Sequence, residues 1–481
     1  MNNKRQILFY AITGVLISGA LYYFSTGLEG IRVLAWIAPL PILLLAPNLS
    51  RSSSIIASLS AYLLGGLNLV PYLSGLAPVI VIILSVIFPS TVFAVAIANF
   101  RSAVIRQYPI RAMLIPPSIW TIYEFALSSL SPHATAGSIA YSQSGFLPLI
   151  QIASVTGLWG ISFLLVFIPS GLAALWHFRR ERRQLISVGT VLLTVVVIVG
   201  SFGFMRLVKS RSYHTLRVGL AASDTTVRYF QTTKLDQTLS VVGSFLQEIN
   251  TLAGQGAKVI VLPEKSVGMA EGCTDTVLQI FKHAAAIYNV FIVAGLNVIG
   301  EHLNQNIGVV ISPQGNVLLR YHKVLLIPGL ESEYIPGRTA GLFTADSISS
   351  GVLICKDMDS PVWVRRYGEH GARILFVPAW DFKVDAWLHS RMAVLRGVEV
   401  GAAVVRSAQE GFLTISDDKG RIISQNASWD SPMVRLVSEC PVGSGKTFYD
   451  TAGNWFPWLN VIYLSFTVVA SLIHRRKPTN A

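Results

Sequence analysis

Glu264, Lys323 and Cys355 each fall just past the end of a short apolar run that reads as a β-strand. Strand ends are where a packed sheet presents side chains to a crevice, so residues far apart in the chain can converge there. A thiolate is a strong nucleophile, but it needs a neighbouring base or positive charge to form at neutral pH. In a shared crevice Glu264 can take the thiol proton and later pass it to a leaving group. Lys323 can hold the negative charge that develops on a carbonyl oxygen under attack. Singly, each has a plainer explanation: a cysteine after a strand is usually a small buried hydrophobe, Pro-Glu a solvated strand exit, and a lysine beyond a hairpin a surface charge. Their order and common context shift the balance towards chemistry.

The elements that must position them run from about Tyr213 to Asp450, where strand-length apolar runs alternate with amphipathic helical stretches in an α/β pattern. Leu216 to Ala222 reads as a strand and Leu235 to Leu252 as a helix. Lys258 to Pro263 is a strand that ends in Glu264. Thr274 to Tyr288 has helical spacing, and Val290 to Val298 is again a strand. Ile307 to Ser312 and Val317 to Tyr321 flank the turn Pro313-Gln314-Gly315-Asn316 as a hairpin, with Lys323 just beyond it. Gly351 to Ile354 is the strand before Cys355. Pro361 to His370, Ile374 to Pro378, Asp385 to Val400 and Ala402 to Ser407 continue the alternation, and a hairpin around Asp417 to Gly420 closes the domain.

The rest of the chain has a different texture. Of 481 residues, 52% are hydrophobic and only 13% charged, against about a quarter charged in ordinary soluble domains. A bilayer core about 30 Å thick needs roughly 20 apolar residues in a helix. Runs of that kind start at Ile7, Val33, Ile55, Leu76, Met113, Phe146 and Leu185, and an eighth spans about Phe456 to Ile473. Lys4 and Arg5 precede the first run as in a signal peptide, but no small-residue cleavage site follows, so it reads as a retained helix. The expected organisation is therefore seven transmembrane helices over 1–210, an α/β domain over 211–452, and a last transmembrane helix with a short tail over 453–481.

The net charge of +13 raises the question of nucleic acid, and its distribution argues against it. The basic residues gather in alternate short loops: Lys4 and Arg5; Arg51; Arg101, Arg106 and Arg111; Arg179, Arg180, Arg182 and Arg183; and Arg475, Arg476 and Lys477. The intervening loops are nearly bare of charge. With basic loops inside, both termini are cytoplasmic and the α/β domain lies outside. Arg206, Lys209 and Arg211 sit at the other end of the seventh helix, where four arginines across it outweigh them. Cys273, Cys355 and Cys440 are too few for a disulfide framework; whether Cys273 and Cys440 pair is left open.

Leu262-Pro263-Glu264, Tyr321-His322-Lys323 and Leu353-Ile354-Cys355 resemble the Glu–Lys–Cys motif series of the nitrilase superfamily. The whole layout resembles one membrane-bound branch of it, apolipoprotein N-acyltransferase. Within the apolar part the resemblance includes Pro117, Trp120, Glu124, Tyr141-Ser142-Gln143, Gln151, Gly157, Gly160 and Ser162-Phe163. Near the end it includes Gly445-Lys446-Thr447-Phe448-Tyr449 and Gly453-Asn454-Trp455. The resemblance implies an αββα sandwich carried on about eight transmembrane helices in the bacterial cytoplasmic membrane, with the catalytic domain on the outer face. It implies a two-step transfer: Cys355 attacks the sn-1 ester of a phospholipid to form a thioester, and the α-amino group of a lipoprotein's diacylglyceryl-cysteine then takes the acyl chain. Neither metal nor organic cofactor is implied. The family's second glutamate, eight residues after its lysine, corresponds to Glu331.

The family's nucleophile is usually followed by an aromatic residue and a glutamate, where this chain has Lys356 and Asp357. Asp357 keeps a shortened carboxylate as catalytic support. Lys356 either lowers the thiol pKa further or points to solvent. Trp380 and Asp381 follow a strand where such domains often line the substrate site, though a tryptophan there serves packing equally well. His389, Arg391, Arg396 and Glu399 share a helix, and Arg396 with Glu399 reads as a structural ion pair. Glu124 lies within an apolar run and reads as structural. Two other functions fit parts of the pattern: a membrane-tethered amidase using the same three residues with water as acceptor, and a lipoprotein-binding paralogue that has lost catalysis.

Overall fold

The computed structural model describes residues 2–209 and 214–476. The expected boundary at 211, Tyr213, Arg211 and the tail from Lys477 therefore lie outside the described residues. The chain divides into two compact units. One comprises Met1–Leu130, Gly137–Phe204 and Asn454–Ala481; the other comprises Ser131–Ala136 and Met205–Gly453.

The first unit is helical throughout. Among the described residues, six of its helices are long and apolar enough to cross a membrane: Arg5–Ser25, Arg51–Leu73, Val79–Ile105, Trp159–His177, Arg182–Val208 and Trp455–Ile473. The sequence pattern suggested eight, and the two others differ for identifiable reasons. The stretch after Val33 is a shorter apolar segment, Arg32–Asn48, interrupted at Ala38-Pro39 between helices Arg32–Ile37 and Leu40–Leu45. The run from Met113 lies in a 22-residue helix, Pro109–Leu130, which is long enough but holds Pro116 and Pro117, Arg111 and Glu124. Glu124 is buried, and its carboxylate accepts hydrogen bonds from Trp120 Nε1 (3.0 Å), Ser138 Oγ (2.7 Å), Ser162 Oγ (2.5 Å) and the Ile139 N–H (3.0 Å). Four donors on one carboxylate tie three segments of this unit together, a structural use of a costly buried acid.

The second unit is an αββα sandwich. One sheet has the order β13-β1-β2-β4-β5-β6, with β3 also paired to β4; the other has β12-β11-β10-β9-β8-β7. In the first, β1 (Thr215–Ala222), β2 (Val259–Val261), β3 (Val267–Ala270), β4 (Phe291–Ile299), β5 (Gln305–Ile311), β6 (Val317–His322) and β13 (Val434–Pro441) are joined. The second holds β7 (Gly341–Ala345), β8 (Ile348–Val352), β9 (Ile374–Trp380), β10 (Ala403–Gln409), β11 (Phe412–Ser416) and β12 (Ile422–Ala427). Period-two alternation sets the layers. Leu216, Val218, Leu220 and Ala222 of β1 face the second sheet. Their neighbour Ala221, with Ile292 and Ala294 of β4, packs against α1 (Leu235–Gly254) and α2 (Thr274–Tyr288). The outer face of the second sheet is covered by α3 (Pro361–Glu369) and α4 (Ala386–Val400), whose Trp363, Ala393 and Val400 belong to an apolar cluster that continues through this sheet to the inter-sheet side chains.

Several crossover pairs are parallel: β1 with β2, β2 with β4, β8 with β9, and β9 with β10. Parallel strands between helices bring their carboxyl ends to one edge of the sandwich. At that edge the Glu264 N–H donates to Ala379 O (3.3 Å) and Gln409 Nε2 to Glu264 O (2.8 Å), so the two sheets are stitched to each other there.

Candidate active site

Glu264, Lys323 and Cys355 leave β2, β6 and β8 at this edge. Glu264 is brought in by Leu262-Pro263 after β2, and its backbone passes so close to Gly295 of β4 that a Cβ there would lie 2.6 Å from the Glu264 Cα. Only glycine allows that approach. Lys323 directly follows β6 and is held by the antiparallel ladder, its N–H donating to Asn306 O (3.0 Å) on β5.

The charged groups form a buried row. Lys323 Nζ lies 2.8 Å from Glu264 Oε1 and 2.8 Å from Glu331 Oε2, with Lys323 fully buried and each carboxylate 2% exposed. Burial works against the lysine's charge, but the two carboxylates outweigh it and hold its pKa well above the ordinary range. Glu331 also accepts from Lys265 Nζ (2.7 Å), Asn306 Nδ2 (2.9 Å) and the Ile327 N–H (2.9 Å). Burial would raise its pKa, and Lys323 with Lys265 reverses that, taking it down to about 2.

Cys355 opens a tight 3₁₀ turn, Cys355–Asp359, with a backbone φ of 43°. A non-glycine residue in this left-handed region is strained, and such strain collects where a side chain must be aimed at a crevice. The thiol is buried and donates to Trp380 O at 3.3 Å. Burial, reinforced by Glu264 and Asp381 and opposed by Lys323 and Arg406, pushes its pKa well above the usual thiol range. This burial favours the neutral thiol, so a base must take its proton for it to ionise. All three cysteines are free, so Cys273 and Cys440 are unpaired with each other.

Asp357 is a brace. Its carboxylate accepts the Tyr321 hydroxyl (2.7 Å) and the N–H groups of Val324 (3.1 Å), Leu325 (2.8 Å) and Ile354 (2.9 Å). It thereby ties the segment that carries Lys323 to the turn that carries Cys355. Burial outweighs these bonds and lifts its pKa to about 6. Lys356 does not point to solvent: it is buried, its ammonium 3.4 Å from Asp359 Oδ2 and 3.4 Å from His133 Nδ1.

Trp380 supplies its carbonyl to the thiol, while its indole donates to Glu410 (2.8 Å) and meets the Phe230 ring at 4.9 Å. Asp381 is buried in an ion pair with Arg406, a short contact inside the domain. His389 lies 3.3 Å from Asp385 and 3.8 Å from Asp359. Arg396 and Glu399 form a fully buried ion pair, and Thr135 of the Ser131–Ala136 segment donates to Asp359 O at 2.7 Å.

Two residues at the site escaped the sequence reading. Asn306 donates through Nδ2 to both Glu264 Oε1 (2.6 Å) and Glu331 Oε1 (2.9 Å), cross-linking the carboxylates. Lys265 brings a second ammonium to Glu331. The signal for Asn306 was present: with the pairing continued past the expected hairpin of Ile307–Ser312 and Val317–Tyr321, it lies opposite Lys323, an amide just ahead of an apolar strand.

Comparison with known proteins agrees with this architecture. Residues 18–171 match the apolipoprotein N-acyltransferase N-terminal domain, and residues 221–444 match the carbon-nitrogen hydrolase domain. A Geobacter metallireducens protein named apolipoprotein N-acyltransferase is 26% identical, covering 98% of this chain and 96% of its own. One of that name from Chlorobaculum tepidum is 24% identical over 86% of this chain and 87% of its own. Among solved structures, an amidase from Nesterenkonia sp. aligns with 52% of this chain and 99% of its own at 18% identity and a TM-score of 0.42. With one domain of each kind and a match along almost its whole length to a protein of that name, the chain is a membrane-bound acyltransferase belonging to the apolipoprotein N-acyltransferase branch of the nitrilase, or carbon-nitrogen hydrolase, superfamily.

Proposed function

We propose that this enzyme acylates lipoproteins, using Cys355 as nucleophile, Glu264 as general base and acid, and Lys323 as the electrophilic support. The observation that carries the proposal is Lys323, held 2.8 Å from both Glu264 and Glu331 beside a strained strand-end thiol. As Sγ attacks the ester carbonyl at the sn-1 position of a phospholipid, Glu264 takes the thiol proton and Lys323 bears the oxyanion. Collapse breaks the ester C–O bond, and the departing lysophospholipid oxygen takes the proton back from Glu264. The α-amino group of the diacylglyceryl-cysteine at a lipoprotein's N-terminus then attacks the thioester carbonyl. Its surplus proton passes through Glu264 to the departing Sγ, which restores the thiol. Splitting the transfer suits a sulfur that is both nucleophile and leaving group.

Glu331 and Asp357 support these three residues, the first by fixing the lysine and the second by bracing the turn. Trp380 borders the thiol, and Lys356 and Asp381 line the neighbourhood through their own ion pairs. Both substrates are lipids, which gives apolar helices a part in holding acyl chains. The alternation of basic and uncharged loops supports a reading with both termini in the cytoplasm of a bacterium and the catalytic domain on the outer face of its inner membrane.

The test is a transfer assay on purified protein in detergent, with a phospholipid isotope-labelled in its sn-1 chain and a diacylated lipopeptide. The labelled acyl mass is expected on the peptide with intact Cys355 and not with Cys355→Ala. Label that reaches Cys355 but never the peptide would leave the nucleophile standing and overturn the acceptor. A Cys355 that is never acylated would overturn the mechanism.

A further inference from the structure

The residue after the general base carries a cation that the three-residue mechanism does not use. Lys265 is 7% exposed, and its ammonium lies 2.7 Å from Glu331 Oε1, 4.2 Å from the centre of the Tyr334 ring and 6.0 Å from that of Phe230. The backbone gives no reason for a lysine here. Its φ is 49°, a region that glycine enters freely and a long side chain does not. Solvation gives no reason either, since a buried ammonium is costly unless paired. What the side chain does is complete an alternating row of Lys265, Glu331, Lys323 and Glu264, two cations against two carboxylates. With Lys323 alone between the carboxylates, the row would be net negative beside the thiol, and negative charge opposes thiolate formation. Glu331 would also compete more strongly with Glu264 for the one ammonium. The other charges facing the thiol, Asp381 and Arg406, are paired with each other, so they leave the row to decide the balance.

We propose that Lys265 is a positioning residue that neutralises Glu331, so that Lys323 stays on Glu264 and Cys355 can give up its proton. The two aromatic faces keep the ammonium on Glu331 rather than in the crevice. The inference rests on Cys355 being the reactive thiol.

The experiment follows iodoacetamide alkylation of Cys355 against pH by mass spectrometry in the full chain in detergent, with Cys273 as internal reference, beside acyl transfer from labelled phospholipid. Lys265→Met is expected to move the alkylation profile up by about one pH unit, the size of effect one lost neighbouring charge produces. Acyl-enzyme formation at fixed pH should slow about tenfold with KM for the phospholipid within about twofold, while Lys265→Arg restores both. Lys265→Gln, which keeps a donor without the charge, makes the same comparison where the methionine variant does not fold. An unmoved profile in the uncharged variants overturns the proposal, as does a loss shared equally by Lys265→Arg or confined to KM. If the parent Cys355 takes up no acyl chain, the acyl-transfer reading falls while the alkylation profiles still decide on Lys265.

Discussion

The Tyr321 hydroxyl donates to Asp357 Oδ2 at 2.7 Å, so the position two past the proposed nucleophile is bonded to the strand that Lys323 directly follows. One carboxylate thus sets both Cys355 and Lys323, the proposed nucleophile and its electrophilic partner. A longer side chain at 357 would have to bend to make the same four bonds, and in this chain aspartate spans the gap directly.

Asp357 should leave a signature in stability against pH. Its folded pKa of about 6 lies above its ordinary 3.8, so the fold favours the protonated form. That contribution is full below about pH 4 and is lost as pH rises through about 6. Two units correspond to about 3 kcal/mol. Comparing thermal unfolding at pH 4 and pH 7, the parent should lose stability between these values more than Asp357→Asn does. Equal slopes would mean that the carboxyl does not titrate there.

Cys355→Ala should abolish acyl-enzyme formation and leave the melting temperature nearly unchanged. The thiol makes one weak hydrogen bond, to Trp380 O, and alanine fills most of its volume, so a change of about 1 kcal/mol or less is expected. Unfolding of this variant would show that the turn depends on the sulfur for packing.

Lys323→Ala should be much more damaging to the fold. It leaves two carboxylates, each 2% exposed, without their shared cation, and losing one partner of a buried pair costs about 3–5 kcal/mol. Calorimetry in detergent would read this, and labelled phospholipid should leave no thioester. Glu264→Gln, which keeps the shape, should lose the thioester with a smaller loss of stability.

His389 predicts the opposite end of the pH scale. Burial works against its charge, but Asp359 and Asp385 prevail and push its pKa up to about 10. Its contribution is then full below the ordinary 6.5 and fades as pH rises through about 10. The difference in unfolding free energy between parent and His389→Gln should shrink by on the order of 2–4 kcal/mol between pH 6.5 and 10, allowing for its partial exposure. A difference constant with pH would mean that the imidazole is neutral throughout.

The strand ends of this domain were legible because each is an apolar run stopped by a polar side chain: β2 by Glu264, β6 by Lys323, and β8, through Leu353-Ile354, by Cys355. The hairpin from Ile307 to Tyr321 could be read from its Pro-Gln-Gly-Asn turn. β13 could not: it lies beyond the hairpin taken as the end of the domain, and it joins the sheet only by pairing antiparallel with β1, more than two hundred residues earlier. Lys265 was hidden because a charge next to a strand exit normally faces water, and only the tertiary approach of Glu331 buries it. Asp381 was a candidate from its place after a strand, but its partner Arg406 was not, since parallel pairing of β9 and β10 is what sets the two face to face. Short-range pattern records where a chain turns, whereas the pairing of charges depends on which strands become neighbours.

The catalytic unit is not one continuous stretch of chain, since Ser131–Ala136 belongs to it along with Met205–Gly453. Thr135 donates to Asp359 O and lies 3.4 Å from Arg396 Nη2, and His133 meets Lys356. A gene fragment cut at residue 205 would therefore encode a sandwich missing a piece of its own interior. For recombination this makes the unit a poor cassette: one crossover cannot move it whole, and inheritance favours exchanging the full length of the protein or none of it.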